Sequence, residues 1–366
     1  MHVINARNVH EALPKALELL RSEGVARSSR NGPVLVAPGP VTTVYEKPTE
    51  RVLFWKQRDA NPFFHFFESL WMLAGRDDVK YVERFAANMK NYSDDGKRFH
   101  GAYGYRWKNH FGASRDIRAG DGLMLDQVNT IIAILKANPD DRRCVLQMWD
   151  PTSDLGAVGK DFPCNTNAYF SINADLALDM TVCNRSNDIV WGCYGANAVH
   201  FSVLQEYVAS SVGVPVGRYW QVSNNWHGYR DTVEPLWSLA DEVPDGYRRQ
   251  PMWNPYAETS IKVSPFPLFD EGQSKESWDR DLTLFMEDPL CYGFEGTFFS
   301  KVAKPMWATH AKYKSAKNLQ DRLDAMDLAV RIEAKDWSYA CWRWLQKRVE
   351  AYKAKHGEEA ADERLV

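Results

Sequence analysis

The sequence predicts an α+β protein in which helices pack on a β-sheet. Segments with apolar residues at helical spacing alternate with segments in which apolar and polar residues alternate. Hydrophobic residues make up 45% of the 366-residue chain, a content that supports a substantial core. No internal repeat or low-complexity linker separates these segments. We therefore expect globular structure with disorder only at the termini.

The helices are predicted by amphipathic or apolar stretches. Residues 9–23 have the apolar spacing of an amphipathic helix. The apolar stretch NPFFHFFESLWMLAG has Asn61 as a candidate N-cap, Pro62 in the first turn and Gly75 near its end. Further helical patterns are LDQVNTIIAILKANP, NAVHFSVLQEYVASSVG and most of the region from about residue 305 to 356.

The strands are predicted by short runs rich in β-branched and aromatic residues. They are the end of RSSRNGPVLVAPGP, then CVLQMWD, NAYFSINA, LALDMTVCNR and RYWQVSNNWHGY. We expect the fourth run to end at RSND and the fifth to continue into a polar loop. The segment GAYGYRW, with glycines on either side of Tyr103, predicts a loop.

Composition excludes several classes of function. The net charge of −3 argues against a general nucleic-acid-binding protein. No apolar run approaches the length of a membrane span, and the N-terminus lacks the layout of a signal peptide. The six cysteines form no Cys-x-x-Cys pair and no zinc-binding spacing, which predicts reduced thiols and no metal. We expect a cytoplasmic protein, in the host cytoplasm if it is viral, without a membrane or nucleic-acid partner.

Two residues are candidates for a catalytic role because of the sequence around them. Cys164 lies in FPCNT, between a proline and a polar run. Most cysteines in such proteins are inert small apolar residues, so this position alone does not identify a nucleophile. Glu68 lies among Phe, Leu and Trp residues, where a carboxylate either faces water or is buried for a purpose.

A longer set of polar residues favours a catalytic interpretation of both Cys164 and Glu68. In order along the chain it comprises Glu68, Tyr103, Arg142, Arg143, Cys164, Arg185, Ser186, Asp188, Asn197, His227 and Tyr229. In this order the sequence resembles the thymidylate synthase family, over roughly residues 28–232 and most strongly from 99 to 229. The resemblance implies a large mixed β-sheet packed by helices. It implies a catalytic domain over residues 1–290, with a helical C-terminal extension over residues 291–366.

The resemblance also implies a reaction, which is transfer of a one-carbon unit from 5,10-methylenetetrahydrofolate to C5 of a pyrimidine nucleotide. Cys164 matches the family nucleophile that bonds to C6 of the base, as a thiolate supported by a nearby cation. Arg185 matches the arginine close to that sulfur. Glu68 matches the glutamate that manages protons at O4 and at the folate through water, a task that suits a buried carboxyl group. Tyr103 matches the tyrosine that helps to remove the C5 proton.

Nucleotide binding follows from the same resemblance. Arg185 and Ser186 match phosphate ligands, since arginine supplies paired donors for a dianion. Arg142 and Arg143 match the pair that reaches the partner's phosphate across a two-fold interface, which implies a homodimer. The remaining matches are a loop arginine for the phosphate (Arg30), two residues for the sugar 3′-hydroxyl (His227 and Tyr229) and one residue for the pterin (Asp188).

Asn197 is the residue that would select the base. A carboxamide offers a donor and an acceptor and so complements N3–H and O4 of uracil, whereas an aspartate would suit cytosine. The stretch between Gly192 and Asn197 is one residue longer than usual in the family. If Ala196 occupied the key position instead, the choice of base would stay open.

Several positions depart from the family pattern. Asn165 follows the nucleophile where the family has His, and Met89 and Tyr92 replace two tryptophans on the folate side. The chain ends in ADERLV instead of a short apolar segment that closes over the folate. A more hydrated folate side would favour addition of water over hydride transfer. We expect a dUMP methylase, a thymidylate synthase; the alternatives are a dUMP or dCMP hydroxymethylase and, more distantly, a non-catalytic nucleotide-binding homologue.

Overall fold

The structure is a computed structural model that describes residues 1–112, 124–244, 251–258 and 263–356. The chain divides into two units, and each has its own core. The first comprises Met1–Arg51 and Phe64–Trp253, and the second comprises Val52–Phe63 and Asn254–Val366. The predicted boundary between residues 290 and 291 stays a prediction.

A mixed eight-stranded sheet organises the first unit, as the predicted fold class requires. Its strands are β1 (His2–Ala6), β2 (Val25–Ser29), β3 (Gly32–Val36), β4 (Val41–Tyr45), β5 (Val145–Gln147), β6 (Asn165–Ile172), β7 (Leu178–Asp188) and β8 (Val216–Tyr229). The order across the sheet is β1-β4-β8-β7-β6-β5, and β3 pairs with β2 and with β8. The pairs β1–β4 and β7–β8 are parallel, and the other pairs are antiparallel.

The two longest strands extend through segments that the sequence predicted to be a strand end and a loop. Strand β7 includes the RSND motif, and β8 includes NNWHGY. Pairing explains the difference: β7 stays in parallel register with β8 as far as Asp188 opposite His227, and β3 pairs with the last residues of β8. These polar segments remain in strand conformation because the neighbouring strands pair with their backbone N–H and C=O groups. The motif residues therefore lie on adjacent strands.

Nine α-helices of the described chain begin before residue 241. They are α1 (Val9–Glu23), α2 (Pro62–Leu73), α3 (Val79–Glu83), α4 (Tyr103–Lys108), α5 (Gln127–Ala137), α6 (Pro151–Asp154), α7 (Asn197–Val212), α8 (Arg230–Val233) and α9 (Trp237–Ala240). Helix α1 has the predicted bounds, with Asn8 as its N-cap. Helices α5 and α7 also lie where their patterns predict them.

Helix α4 corrects the prediction of a loop at residues 101–107. Its first residue is Tyr103, so this side chain is carried by a helix and not by a flexible turn. Gly104 allows α4 to approach α2, because a Cβ atom at this position would lie 2.1 Å from the Met72 carbonyl oxygen. The glycine therefore permits close packing between the helix that carries Tyr103 and the helix that carries Glu68.

The second unit contains the helices α10 (Lys275–Glu287), α11 (Lys304–Ser315), α12 (Leu319–Val330) and α13 (Lys335–His356). Its core is aromatic, with the Phe269 and Trp278 rings stacked at 5.4 Å between centroids. No described helix is long and apolar enough to cross a membrane. The departure noted at ADERLV lies outside the described residues.

Candidate active site

Cys164 immediately precedes β6, beside the first turn of α4. The Tyr103 hydroxyl oxygen accepts hydrogen bonds from the backbone N–H groups of Cys164, at 3.0 Å, and of Asn165, at 3.2 Å. Burial raises the pKa of the Tyr103 phenol, which therefore stays protonated. The hydroxyl thus positions the cysteine backbone and keeps its own proton as a donor.

Arg185 is the cation that the structure brings to Cys164. Its guanidinium donates to the carbonyl oxygens of Pro163, at 2.8 Å, and Phe162, at 3.2 Å, which precede the cysteine. Burial raises the pKa of the Cys164 thiol above its usual value, Arg185 opposes that shift, and Asp161 and Asp188 add to it. The expected cation is therefore present, but in the isolated chain burial prevails and the sulfur rests as a thiol.

A chain of buried side-chain carboxamides starts beside the cysteine. Asn184 donates to Asn165 Oδ1, and Asn165 donates to Asn197 Oδ1 at 3.3 Å. Asn197 in turn donates to Asn187 Oδ1 at 3.2 Å, and Asn187 donates to Ser223 Oγ at 3.0 Å. The four asparagines are at most 7% exposed. We refer to Asn184, Asn165, Asn197 and Asn187 as the carboxamide chain.

The carboxamide chain sets the orientation of Asn197. Because each amide donates in the same direction, reversing Asn197 would set its NH2 group against the Asn165 donor. The short helical segment Ile189–Ala196 precedes α7, and its backbone leaves the helical conformation at Tyr194 and Gly195. Helix α7 then begins at Asn197. A Cβ atom at Gly192 would lie 2.8 Å from Asn187 Oδ1, so glycine leaves room for the chain. This arrangement favours Asn197 over Ala196 as the side chain that reads the base.

Glu68 is buried on α2, and its carboxylate faces an imidazole. It is 7% exposed, so the alternative of a water-facing carboxylate is wrong. Its Oε2 lies 3.0 Å from Nε2 of His200, which is 2% exposed and lies one turn after Asn197 on α7. The contact has hydrogen-bond distance without hydrogen-bond geometry. Glu68 Oε2 and both His200 ring nitrogens lack a hydrogen-bond partner among the described residues.

Asp188 ends β7 and caps the helical turn that follows. Its Oδ1 accepts from the backbone N–H groups of Val190, at 2.9 Å, and Trp191, at 2.6 Å. Its Oδ2 is buried and lacks a partner within the described residues, and burial raises the pKa of the carboxyl group. An unpartnered buried oxygen of this kind is suited to accept a hydrogen bond from a pterin ring.

The residues expected to bind the sugar lie at the end of β8. His227 and Tyr229 are part-exposed, with 5.5 Å between their ring centroids. Asn31 donates to the Tyr229 hydroxyl at 3.4 Å. Ser186 pairs with Asn225 and Asp188 with His227 in the β7–β8 register, which brings the phosphate, sugar and pterin candidates onto adjacent strands.

The other arginines expected at the phosphate face solvent. Arg30, in the turn between β2 and β3, donates to the Gly159 carbonyl oxygen at 3.4 Å. Arg142 is exposed, and Arg143 is 84% exposed and bonds to Asp141. Exposure is compatible with the expected reach to a partner's nucleotide, which stays a prediction.

Sequence reasoning missed the partners of the site residues. His200, Asn184 and Asn187 were not candidates, although His200 follows Asn197 by three residues and so shares its helix face. Met89 and Tyr92, expected on the folate side, lie in the short 3₁₀-helix Met89–Tyr92, and Tyr92 is 52% exposed.

Comparison with known proteins identifies the family. The thymidylate synthase family model matches residues 49–252. A deoxyuridylate hydroxymethyltransferase of Pseudomonas phage M6 is 50% identical over 356 residues, 97% of each chain. One of Bacillus phage SP01 is 39% identical over 52% of this chain and 50% of its own. The thymidylate synthase of Streptococcus thermophilus strain LMD-9 is 28% identical over 67% of this chain and 81% of its own. The chain belongs to the thymidylate synthase family, folate-dependent enzymes that transfer a one-carbon unit to C5 of a pyrimidine nucleotide.

Proposed function

We propose that this enzyme hydroxymethylates dUMP at C5, giving 5-hydroxymethyl-dUMP, with 5,10-methylenetetrahydrofolate as the one-carbon donor. The observation that carries the proposal is the 50% identity, over 97% of both chains, to a phage protein named deoxyuridylate hydroxymethyltransferase. Among the readings of the sequence, this was the alternative to thymidylate synthesis. More distant similarity to thymidylate synthases supports the shared part of the reaction.

Cys164 is the proposed nucleophile. It adds to C6 of the uracil, with Arg185 stabilising the thiolate once the nucleotide is bound. The orientation of the carboxamide chain fits this base: Asn197 Oδ1 accepts from N3–H and the second Nδ2–H donates to O4. The same donor stabilises negative charge that develops on O4 when the sulfur adds.

The folate supplies its one-carbon unit as an electrophile to C5. Asp188 Oδ2, a buried oxygen without a partner in the described part of the chain, fits a donor of the pterin ring. The Tyr103 hydroxyl retains its proton and sits at the Cys164 backbone, a position suited to relaying the C5 proton. Ser186, Arg185 and Arg30 are proposed for the phosphate, and His227 and Tyr229 for the sugar.

Product analysis tests the reaction. Purified enzyme is incubated with methylenetetrahydrofolate and either dUMP or dCMP, and nucleotide masses are measured alongside absorbance from dihydrofolate. We expect 5-hydroxymethyl-dUMP, little product from dCMP and no dihydrofolate. Formation of dTMP with stoichiometric dihydrofolate would replace hydroxymethylation by methylation. Tight dUMP binding with no tritium release from C5 would indicate a non-catalytic homologue.

We propose further that the enzyme works as a homodimer in the cytoplasm, with Arg142 and Arg143 serving the partner's nucleotide. The C164A variant is co-refolded with the R142A/R143A variant. Each mixed dimer then contains one complete site, so a random mixture regains about one quarter of wild-type activity. If mixing restores nothing above the two parents, the arginines do not act across an interface.

A further inference from the structure

We propose that His200 is a positioning residue for the water that adds to the one-carbon unit, acting through Glu68. The inference rests on the proposed hydroxymethylation. Its basis is one juxtaposition: a buried imidazole 3.0 Å from a buried carboxylate, one turn along the helix from the side chain that reads the base.

Helix geometry directs His200 toward the reacting base. Residues three apart on a helix share a face, so His200 and Asn197 lie on the same side of α7. The next residue, Phe201, contacts the Tyr103 ring, with 5.9 Å between centroids. Because Asn197 contacts Asn165, the neighbour of the nucleophile, this side of α7 faces the cysteine end of the site.

Three polar atoms of the pair have hydrogen-bonding capacity that no described residue uses. Glu68 Oε2 and both ring nitrogens of His200 are buried, and none has a hydrogen-bond partner in the described part of the chain. A buried polar atom without a partner is unfavourable, which favours a bound water or substrate group at these atoms. A water beside the pair that contacts both side chains would meet an acceptor and a donor, whereas a carboxylate alone offers only an acceptor.

Addition of this water to the one-carbon unit requires no reductant. After the folate leaves, the Cys164-bound nucleotide carries a methylene group conjugated with C4=O. The water oxygen bonds to the methylene carbon, its proton passes to Glu68, and the electron pair of the exocyclic double bond moves toward O4. Reformation of C5=C6 then breaks the C6–S bond and releases the Cys164 thiolate. His200 orients the Glu68 carboxylate and the water so that the water oxygen can bond to the methylene carbon.

The test measures a ratio of products from one intermediate. The reaction is run with 2-mercaptoethanol, whose sulfur competes with water for the methylene carbon and leaves a thioether at C5. In H200L we expect the ratio of hydroxymethyl to thioether product to fall at least about tenfold. This is the lower end of the range for losing a side chain that orients a functional group without being that group. In H200Q, which keeps a donor and an acceptor, the ratio should return most of the way to wild type.

Controls separate positioning from stability. S202A removes a buried hydroxyl on α7 that bonds to the Val199 carbonyl oxygen, and it should leave the ratio unchanged. The ratio is independent of the amount of folded enzyme, and H200A, which also lacks the ring nitrogens, carries the test if H200L does not fold. An unchanged ratio in H200L, or in H200A where that variant is used, despite slower turnover would assign His200 a structural role and overturn the inference. Wild-type enzyme that makes only dTMP would instead refute the proposed hydroxymethylation.

Discussion

The arginines proposed for the phosphate and the carboxamide chain proposed for the base differ in exposure and in charge. Arg30, Arg142, Arg143 and Arg185 are exposed, whereas the four asparagines are buried and connected. A phosphate dianion needs charge, and charge is inexpensive to hold at a hydrated surface. A uracil edge needs one donor and one acceptor in a dry place, where an unpaired charge would cost several kcal/mol. The contrast teaches that these arginines keep their charge at the surface, whereas the carboxamide chain buries neutral dipoles of the kind that a base edge requires.

Cys164 lies between an exposed arginine, Arg185, and the link of the carboxamide chain at Asn165. Removing it tests the proposed nucleophile. C164A should lower product formation by on the order of 10⁴-fold or more, because the covalent step is lost. Intact-mass measurement with 5-fluoro-dUMP and the folate should detect a ternary adduct on the wild type and none on C164A. C291S, which changes a part-buried cysteine of the second unit, should retain both activity and adduct. An adduct on C164A would refute the assignment of the nucleophile.

Placing a charge inside the carboxamide chain should reverse the base preference. N197D should lower kcat/KM for dUMP about 100-fold, equivalent to about 2.7 kcal/mol, since a carboxylate cannot donate to O4. The ratio of dCMP to dUMP turnover should rise. N167D makes the same change at a half-buried position of β6, outside the carboxamide chain, and should alter neither value. Equal losses with both nucleotides would show that Asn197 does not read the base.

Interrupting the carboxamide chain one link away should have a smaller effect. N165A removes the donor to Asn197 Oδ1 and the acceptor for Asn184 Nδ2. We expect about a tenfold loss of kcat/KM for dUMP and a loss of about 1–3 kcal/mol in the free energy of unfolding. Steady-state kinetics and urea unfolding measure the two effects. Wild-type kinetics in a destabilised protein would separate the stability of the chain from reading of the base.

The smallest effect concerns the resting thiol. Because burial raises the pKa of the Cys164 thiol above its ordinary value, its thiolate fraction at neutral pH is small and grows about tenfold per pH unit. The rate of Cys164 alkylation by iodoacetamide, followed by peptide mass, should therefore keep rising at pH values above the ordinary cysteine pKa of about 8.5. R185Q should move the profile to higher pH, since Arg185 opposes the effects of burial, Asp161 and Asp188. A plateau below the ordinary cysteine pKa would contradict the burial argument.

Local patterns predicted much of the secondary structure. The apolar spacing of residues 9–23 gave the bounds of α1, because an amphipathic helix and its cap are encoded within one segment. Strands β1 and β4 were missed, although β4 is buried throughout. Their five-residue segments are too short for a periodic signal, and they form strands through pairing with each other and with β8. The same pairing turns the polar NNWHGY segment into strand.

The sequence by itself determined the family and the order of the reactive residues, because these depend on side-chain identity along the chain. The orientation of Asn197, the burial of Glu68 and the approach of His200 were decided only by tertiary structure. Hydrogen-bond direction and desolvation depend on groups from β6, β7, α2 and α7, which are far apart in sequence. Whether a carboxylate meets water or an imidazole is a property of that packing, and no single segment encodes it.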